Sequence, residues 1–196
     1  TGFANMFRFR SHQASAEPSG PWEDAEWRTT DGHAVKGWLL QGSEKLVIFV
    51  HGMGGSAVSR TQLGEKLNGL GGYSFLLVPL RGSDGHPVKL TSGGVDEAHD
   101  VLGALRFARG RGYLPENTVL YGTSMGGSAS IKACAAAGEL LPAGLIVHGA
   151  FMDFFESARY RTGRAGALYL KALMPAKAVG NLKRFQPVFW LKLVNR

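Results

Sequence analysis

Short apolar runs alternate with amphipathic stretches through the middle of this 196-residue chain. Leu46–Val50 and Tyr73–Val78 are almost wholly apolar, which is typical of strands that are buried on both faces. Arg60–Leu70 and Val95–Arg109 instead carry apolar residues at helical spacing, which predicts one buried face on each helix. Strands separated by helices predict an α/β fold, with a mostly parallel sheet covered by helices on both faces.

The remaining elements are predicted from the spacing of apolar residues and from turn residues. Asp31-Gly32 is a hairpin turn signal between two alternating segments. In chain order, these other predicted elements are strands Glu26–Thr30, His33–Leu40 and Thr118–Tyr121, helix Met125–Ala136 and strand Ala143–Val147.

The chain is long enough for one domain with a sizeable core. Residues 1–23 are polar and contain proline and glycine, which indicates a lead-in segment, and residues 24–196 form the predicted domain. Within it the pattern changes after Phe151. Phe151–Tyr160 is consistent with a helix, and Arg161–Leu182 is basic and rich in small side chains. Residues 187–191 form an apolar run that predicts a further core strand.

Composition favours a soluble, cytoplasmic protein, because no apolar stretch approaches the roughly 20 residues of a membrane helix. The formal net charge is +7, with much of the excess near the two ends. A solvated basic surface explains that charge, and peripheral contact with an anionic membrane surface is the alternative. No motif for nucleic-acid binding is present. The single cysteine, Cys134, is expected to be a buried thiol.

Candidate chemistry begins with Gly122-Thr123-Ser124-Met125-Gly126, which reads G-x-S-x-G between a predicted strand and a predicted helix. In that context the serine is held on a sharp turn with its hydroxyl exposed at the edge of the sheet. The alternative is a serine that only caps the helix. Ser124 is therefore a candidate nucleophile.

A second motif, His51-Gly52-Met53-Gly54-Gly55, directly follows the predicted strand Leu46–Val50. Acyl transfer develops negative charge on a carbonyl oxygen, and two fixed backbone N–H groups stabilise that charge. The residue after the nucleophile, Met125, and the loop residue Met53 are the expected donors. The ring of His51 is expected to have a structural role. The substrate site is expected to be lined by His51, Gly52 and Gly54.

Together these segments resemble the α/β-hydrolase superfamily, and most closely its lysophospholipase, monoacylglycerol lipase and serine aminopeptidase members. The resemblance covers roughly residues 24–153. It implies no cofactor, a small-molecule ester or amide substrate, and a cap or lid over the acyl pocket at 151–186. Besides the two motifs, it rests on residues 27–38, on Val78–Gly85, which resembles D-x-R-G-x-G with Pro79 where aspartate is usual, and on Gly94–Val101.

A serine nucleophile needs a base, and the sequence does not supply one at the expected place. In this fold the order along the chain is serine, then acid, then histidine. His148 is the only histidine after Ser124, and no histidine follows the candidate acid Asp153. Three explanations stay open: the sequence is a fragment, which is the favoured one, or the protein is catalytically silent, or His148 or His86 acts as an irregular base.

The sequence thus predicts a serine hydrolase that cleaves carboxylic esters or small amides through an acyl-enzyme. A silent relative that binds a ligand or a protein partner is the alternative from another class. A dehalogenase is disfavoured because such enzymes carry aspartate at the position of Ser124. No metal is expected, because the acidic start of the helix near Asp96 is explained by the helix dipole, with Glu97, His99 and Asp100 as its neighbours.

Overall fold

The structure, a computed structural model, describes residues 17–151 together with residues 156, 159–160, 163–166, 168 and 172. Its strands are β1 (Trp22–Arg28), β2 (Ala34–Leu40), β3 (Leu46–Val50), β4 (Ser74–Val78), β5 (Thr118–Thr123) and β6 (Gly144–His148). Its helices are α1 (Thr61–Gly71), α2 (Glu97–Gly110) and α3 (Met125–Ala136), with short 3₁₀ helices at Ala57–Arg60, Pro115–Asn117 and Gly138–Leu140.

One sheet joins the six strands of this part of the chain in the order β1-β2-β4-β3-β5-β6. β2 is antiparallel to both of its neighbours, β1 and β4. β4, β3, β5 and β6 are parallel to one another. The predicted fold class, a mostly parallel sheet with helices on both faces, is confirmed.

Two predicted elements, β3 and α3, have the bounds that the sequence indicated, and the others shift by a few residues. β1 shows the largest shift, because it begins at Trp22 rather than Glu26 and so starts inside the predicted lead-in segment. It ends at Arg28 because Thr29 belongs to the turn. There the Thr29 N–H donates to the His33 carbonyl, and the Thr29 hydroxyl accepts the His33 N–H.

Most of the C-terminal predictions concern residues that the structure does not describe. Asp153, most of the predicted cap at 151–186 and the predicted strand at 187–191 lie outside the described residues. The single residues that are described there, 156, 159–160, 163–166, 168 and 172, are helical. In the part of the chain that the structure describes, no helix is long and apolar enough to cross a membrane.

The sheet carries a separate apolar cluster on each face. On one face Phe49, Phe75 and Leu77 pack against Leu63 and Leu67 of α1. The cluster on the other face includes strand residues and alanines of α2 and α3. β4 lies in the middle, and all five of its residues are buried. The parallel strands are therefore the centre of the core.

The spacing of Leu63, Leu67 and Leu70 predicts that all three lie on the buried face of α1. This is wrong for Leu70, which is 76% exposed. The contact face of α1 is centred on Gly64 instead. A Cβ on Gly64 would lie 2.7 Å from the Trp22 ring and 3.0 Å from the Phe75 ring, so glycine lets these two aromatic side chains reach the helix axis. Leu70 lies in the last turn, beyond this contact.

Arg81, just after β4, ties three parts of the chain together. Its guanidinium donates to Asp100 of α2, at 2.7 Å and 3.2 Å, and to Asp31 of the β1–β2 turn, at 3.1 Å and 3.2 Å. Burial would lower the pKa of Arg81, but the two carboxylates raise it above its usual value. The hairpin turn, α2 and the turn after β4 are thus held by one permanently charged group.

β5, α3 and β3 approach one another closely around residues 122–126. A Cβ on Gly126 would lie 2.3 Å from the His51 carbonyl oxygen and 2.4 Å from that of Val50. A Cβ on Gly122 would lie 2.6 Å from the Cα of Gly127. Both contacts are with backbone, which cannot move aside without displacing a strand or a helix.

Gly126→Ala is therefore expected to lower the free energy of unfolding by about 3 kcal/mol, because the added methyl overpacks a rigid backbone contact. Gly69→Ala is the matched control, since Gly69 in α1 has no atom within 4 Å of the position of its Cβ. That change is expected to raise stability by about 0.5–1 kcal/mol. Urea unfolding followed by circular dichroism measures both, and similar effects of the two substitutions would contradict the close packing.

The Arg81–Asp31 pair predicts a pH-dependent contribution to stability. Burial alone would raise the pKa of Asp31, but hydrogen bonds from Arg81 and Thr29 lower it to about 2. The contribution is present above the unfolded-state pKa of 3.8 and is lost as the pH falls through about 2.

Asp31→Asn is thus expected to cost about 1 kcal/mol at neutral pH, a value reduced by solvent screening at this partly exposed site. The difference from wild type should shrink as the pH falls below 4. Urea titrations at a series of pH values measure it, with the exposed Asp96→Asn as control. A difference that is the same at pH 7 and pH 2.5 would refute the assignment.

Candidate active site

Ser124 lies alone between β5 and α3, at the carboxyl end of the parallel strands. Its φ is 50° and its ψ is −122°, a conformation that non-glycine residues rarely adopt. The Ser124 N–H donates to the His148 carbonyl at 2.8 Å, which fixes the turn against the end of β6. The Ser124 side chain makes no capping hydrogen bond to α3, contrary to the alternative of a helix-capping serine.

The loop after β3 lies directly against this serine. A Cβ on Gly52 would be 3.1 Å from Ser124 Cβ and 3.7 Å from Ser124 Oγ. From Gly52 the chain makes a tight turn in which the Gly55 N–H donates to the Gly52 carbonyl at 3.1 Å. Gly54 has a φ of 69°, which the third position of a type II turn requires. The structure therefore brings together Ser124 and the predicted glycine-rich loop.

Two backbone N–H groups beside Ser124 are without acceptors among the described residues. Met125 is the first residue of α3, where a helix leaves its N–H groups without intrahelical partners. Met53 occupies the second position of the Gly52–Gly55 turn, and no hydrogen bond of its N–H is found in the described part. The N-terminal end of α3 also contributes a partial positive charge. The sequence analysis indicated the same two N–H groups as oxyanion donors, and that role stays a prediction.

The His51 ring is buried beneath the loop, 3% exposed, and both of its nitrogens are used. Nδ1 lies 2.8 Å from the Gly52 carbonyl, while Nε2 accepts the Leu80 N–H at 3.2 Å and lies 2.8 Å from Ser83 Oγ. Burial lowers the pKa of His51, which favours the neutral ring. Because Nε2 accepts an N–H and Nδ1 faces a carbonyl, this geometry puts the ring proton on Nδ1. The ring supports the loop, and any contact of His51 with substrate falls to its backbone.

His86, one of the two candidate irregular bases, is engaged inside the protein. Its Nδ1 accepts the Val88 N–H at 3.0 Å, and its Nε2 faces Asp100 at 3.4 Å without a well-formed hydrogen bond. Burial would raise the pKa of Asp100, but the nearby His86 ring and the hydrogen-bonded Arg81 guanidinium lower it. The ring of His86 thus belongs to the ion-pair cluster behind the site.

His148, the other candidate base, ends β6 beside the serine. It pairs with Thr123 of β5, its carbonyl accepts the Ser124 N–H, and it is exposed. The candidate acid Asp153 lies outside the described residues, so its role as the acid stays a prediction.

Asp84 is a site residue that the sequence analysis missed. Its carboxylate accepts the Ser56 hydroxyl at 2.5 Å and the Ala57 N–H at 2.7 Å, at the far end of the loop that carries Met53. The sequence could have indicated Asp84, because Val78–Gly85 resembles the pattern D-x-R-G-x-G. This chain has Asp84 where that pattern has its last glycine.

Glu97 was interpreted only as a helix-start residue, yet it anchors the segment before α2. It is fully buried, and its carboxylate accepts bonds from the Ser92 N–H, the Ser92 hydroxyl, the Gly94 N–H and the Thr91 hydroxyl. Thr91 Oγ1 also lies 3.1 Å from the Met125 sulfur. Glu97 thereby supports the side chain that follows the nucleophile.

Among the described residues, no group of three or more histidine, cysteine, aspartate or glutamate side chains could hold a metal ion. The polar residues at the start of α2 instead have different surroundings. Asp100 pairs with Arg81, the His99 ring lies 2.6 Å from the Thr30 hydroxyl, and Asp96 is exposed. Cys134 is buried, and burial raises the pKa of its thiol to about 12, which makes it a poor nucleophile.

No protein-family model matches the sequence, and neither does any curated protein. Solved structures do match. The esterase Pf2001 of Pyrococcus furiosus is 18% identical with a TM-score of 0.67, covering 89% of this chain and 67% of that one. An α/β hydrolase of Vibrio vulnificus is 20% identical with a TM-score of 0.67, covering 89% of this chain and 60% of that one.

A third match has a name of another kind. The bottromycin epimerase BotH, solved with bottromycin A2, is 20% identical with a TM-score of 0.53, covering 88% of this chain and 71% of that one. The likeness to lysophospholipases in particular stays a prediction. At such low sequence identities the matches show the fold but not the activity. The chain therefore has the α/β-hydrolase fold.

Proposed function

We propose that this protein is a serine hydrolase that cleaves carboxylic esters or small amides, with Ser124 as its nucleophile. The observation that carries the proposal is the strained backbone of Ser124, against which Gly52 packs. Among the described residues the Ser124 hydroxyl has no hydrogen-bond partner. Strain of this kind persists only where the surrounding structure enforces it, and it concentrates at functional sites. The esterase and hydrolase names of two structural neighbours are consistent with the same chemistry.

The reaction would proceed in two halves. Ser124 Oγ adds to the substrate carbonyl carbon as its proton passes to a base, and the carbonyl oxygen becomes an oxyanion facing the Met53 and Met125 N–H groups. Collapse of this intermediate expels the alcohol or amine, which takes up the proton, and leaves an acyl group on Ser124. Water then repeats the sequence and releases the acid.

The oxyanion donors supply a large share of the rate in this scheme. Removal of one such donor typically lowers kcat about 10²–10³-fold. Here both are backbone groups, one held by the start of α3 and the other by the Gly52–Gly55 turn. The donors are thus oriented before substrate binds, and no cofactor is needed.

A catalytically silent protein that binds a ligand in the same site is the competing proposal. It is favoured by one observation: the ring of His86 is committed to contacts within the protein, which leaves only His148, whose carbonyl accepts the Ser124 N–H, of the two candidate bases. BotH, a structural neighbour, is named an epimerase and not a hydrolase.

Labelling with a fluorophosphonate probe separates the two proposals. The Ser124 hydroxyl attacks the phosphorus and fluoride leaves, so only an activated serine reacts at an appreciable rate. We expect stoichiometric labelling of wild type, at least about 10³-fold slower labelling of Ser124→Ala, and unchanged labelling of the exposed-serine control Ser59→Ala. Intact-protein mass spectrometry gives the rate, and circular dichroism confirms the fold.

A folded wild-type protein that resists the probe contradicts the hydrolase proposal for this chain and favours the silent one. His148→Gln adds information on the base. A loss of at least about tenfold in labelling rate assigns the base to His148, since general-base catalysis contributes about 10²–10⁴-fold. Unchanged labelling places the base elsewhere.

A further inference from the structure

The loop that carries Met53 is held at both of its ends by the turn that follows β4. At the first end the His51 ring accepts the Leu80 N–H and contacts the Ser83 hydroxyl. At the second end the Asp84 carboxylate accepts from Ser56 and Ala57. Among the described residues, no side-chain hydrogen bond joins residues 52–55, between these two attachments, to that turn, so their position depends on both ends.

Asp84 adopts an unfavourable backbone conformation to make its contacts. Its φ is 44°, and with Ser124 it is one of the two non-glycine residues of the described part with positive φ. Aspartate tolerates this region better than most residues, although glycine would adopt it without strain. A residue kept in strain beside the site is expected to contribute through its side chain.

The side chain of Asp84 is 2% exposed, so its charge is removed from solvent. Such a carboxylate is stable only when donors surround it. Ser56 donates to Oδ1, and the Ala57 N–H donates to Oδ2 at the start of the 3₁₀ helix Ala57–Arg60. The Ser83 hydroxyl and the His51 ring also face Oδ2, at 3.2 Å and 3.6 Å. The carboxylate thus joins the β4 turn to the end of the loop.

We propose that Asp84 is a positioning residue for the oxyanion donor: through Ser56 and Ala57 it sets where the Met53 N–H points. The inference rests on the proposed function, because it assigns Met53 a role in acyl transfer. Asp84 itself touches no reacting atom. It acts by restricting the loop, so that the donor is already in place when charge develops on the substrate oxygen.

Two substitutions separate the carboxylate from the backbone conformation. Asp84→Gly removes both acceptor oxygens while relieving the positive φ, so any loss comes from the missing carboxylate rather than from new strain. Asp84→Asn keeps the shape but replaces one acceptor oxygen with a donor, which opposes either Ser56 or Ala57. The control is Asp96→Asn, which removes an exposed carboxylate at the start of α2.

The first readout needs no reaction. Amide hydrogen exchange of residues 51–58, measured by mass spectrometry on the full chain, reports how firmly the loop is held. We expect exchange in this segment to be at least about tenfold faster in Asp84→Gly than in wild type, with no change in Asp96→Asn.

The second readout is the acylation of Ser124 by an activated ester and by the matching thionoester. Sulfur is a weaker acceptor than oxygen, so the thionoester gains less from correctly placed N–H donors. We expect Asp84→Gly to react about tenfold more slowly with the ester and nearly normally with the thionoester. A general loss of structure would slow both, and so would leave the ratio of the two rates unchanged.

Three results are decisive. Faster exchange with a reduced ester-to-thionoester ratio supports the proposal. A wild-type ratio in Asp84→Gly overturns it and leaves the role of Ser124 intact. Absence of Ser124-dependent acylation in wild-type protein overturns the proposed function and, with it, the role of Asp84 in positioning an oxyanion donor. The exchange result then still shows whether Asp84 holds the loop.

Discussion

The close approach of β5, α3 and β3 is the constraint on which the rest of the site depends. Glycines at 122 and 126 allow backbone to meet backbone, with no room for a Cβ at either position. The chain must pass from strand to helix within one residue, and that residue, Ser124, takes up the conformational strain. Its side chain consequently projects away from the packed backbone, towards Gly52. A looser strand–helix junction would leave the serine free to cap the helix.

Beside this junction lies a layer of buried polar groups. His51, Arg81 and Asp84 each accept or donate bonds across chain segments that are distant in sequence. Glu97 accepts bonds from the segment just before its own helix. Buried charges are costly unless they are satisfied, so each residue admits few arrangements of the loops around it. The loops at the carboxyl ends of the strands are therefore rigidly placed, which suits a site whose donors must be oriented in advance.

Local patterns in the sequence were sufficient to predict the elements with strong, short-range signals. β3 is a continuous apolar run and α3 follows a glycine-serine turn, and both have the predicted bounds. Predictions failed where a long-range partner decides. Leu70 shares the helical spacing of Leu63 and Leu67, yet only the position of Gly64 against Trp22 and Phe75 determines which part of α1 meets the sheet. No local signal carries that information.

By itself, the sequence determined the α/β class, the strand–serine–helix junction and the glycine-rich loop after β3, because each depends on neighbouring residues and on backbone sterics. Only the tertiary structure decided that His51 turns inward, that His86 and Asp100 belong with Arg81, and that Asp84 joins two loops. These contacts span 14 to 33 residues of chain. A side chain's partner across such separations is set by the packing of the whole sheet, which one-dimensional patterns of polarity do not encode.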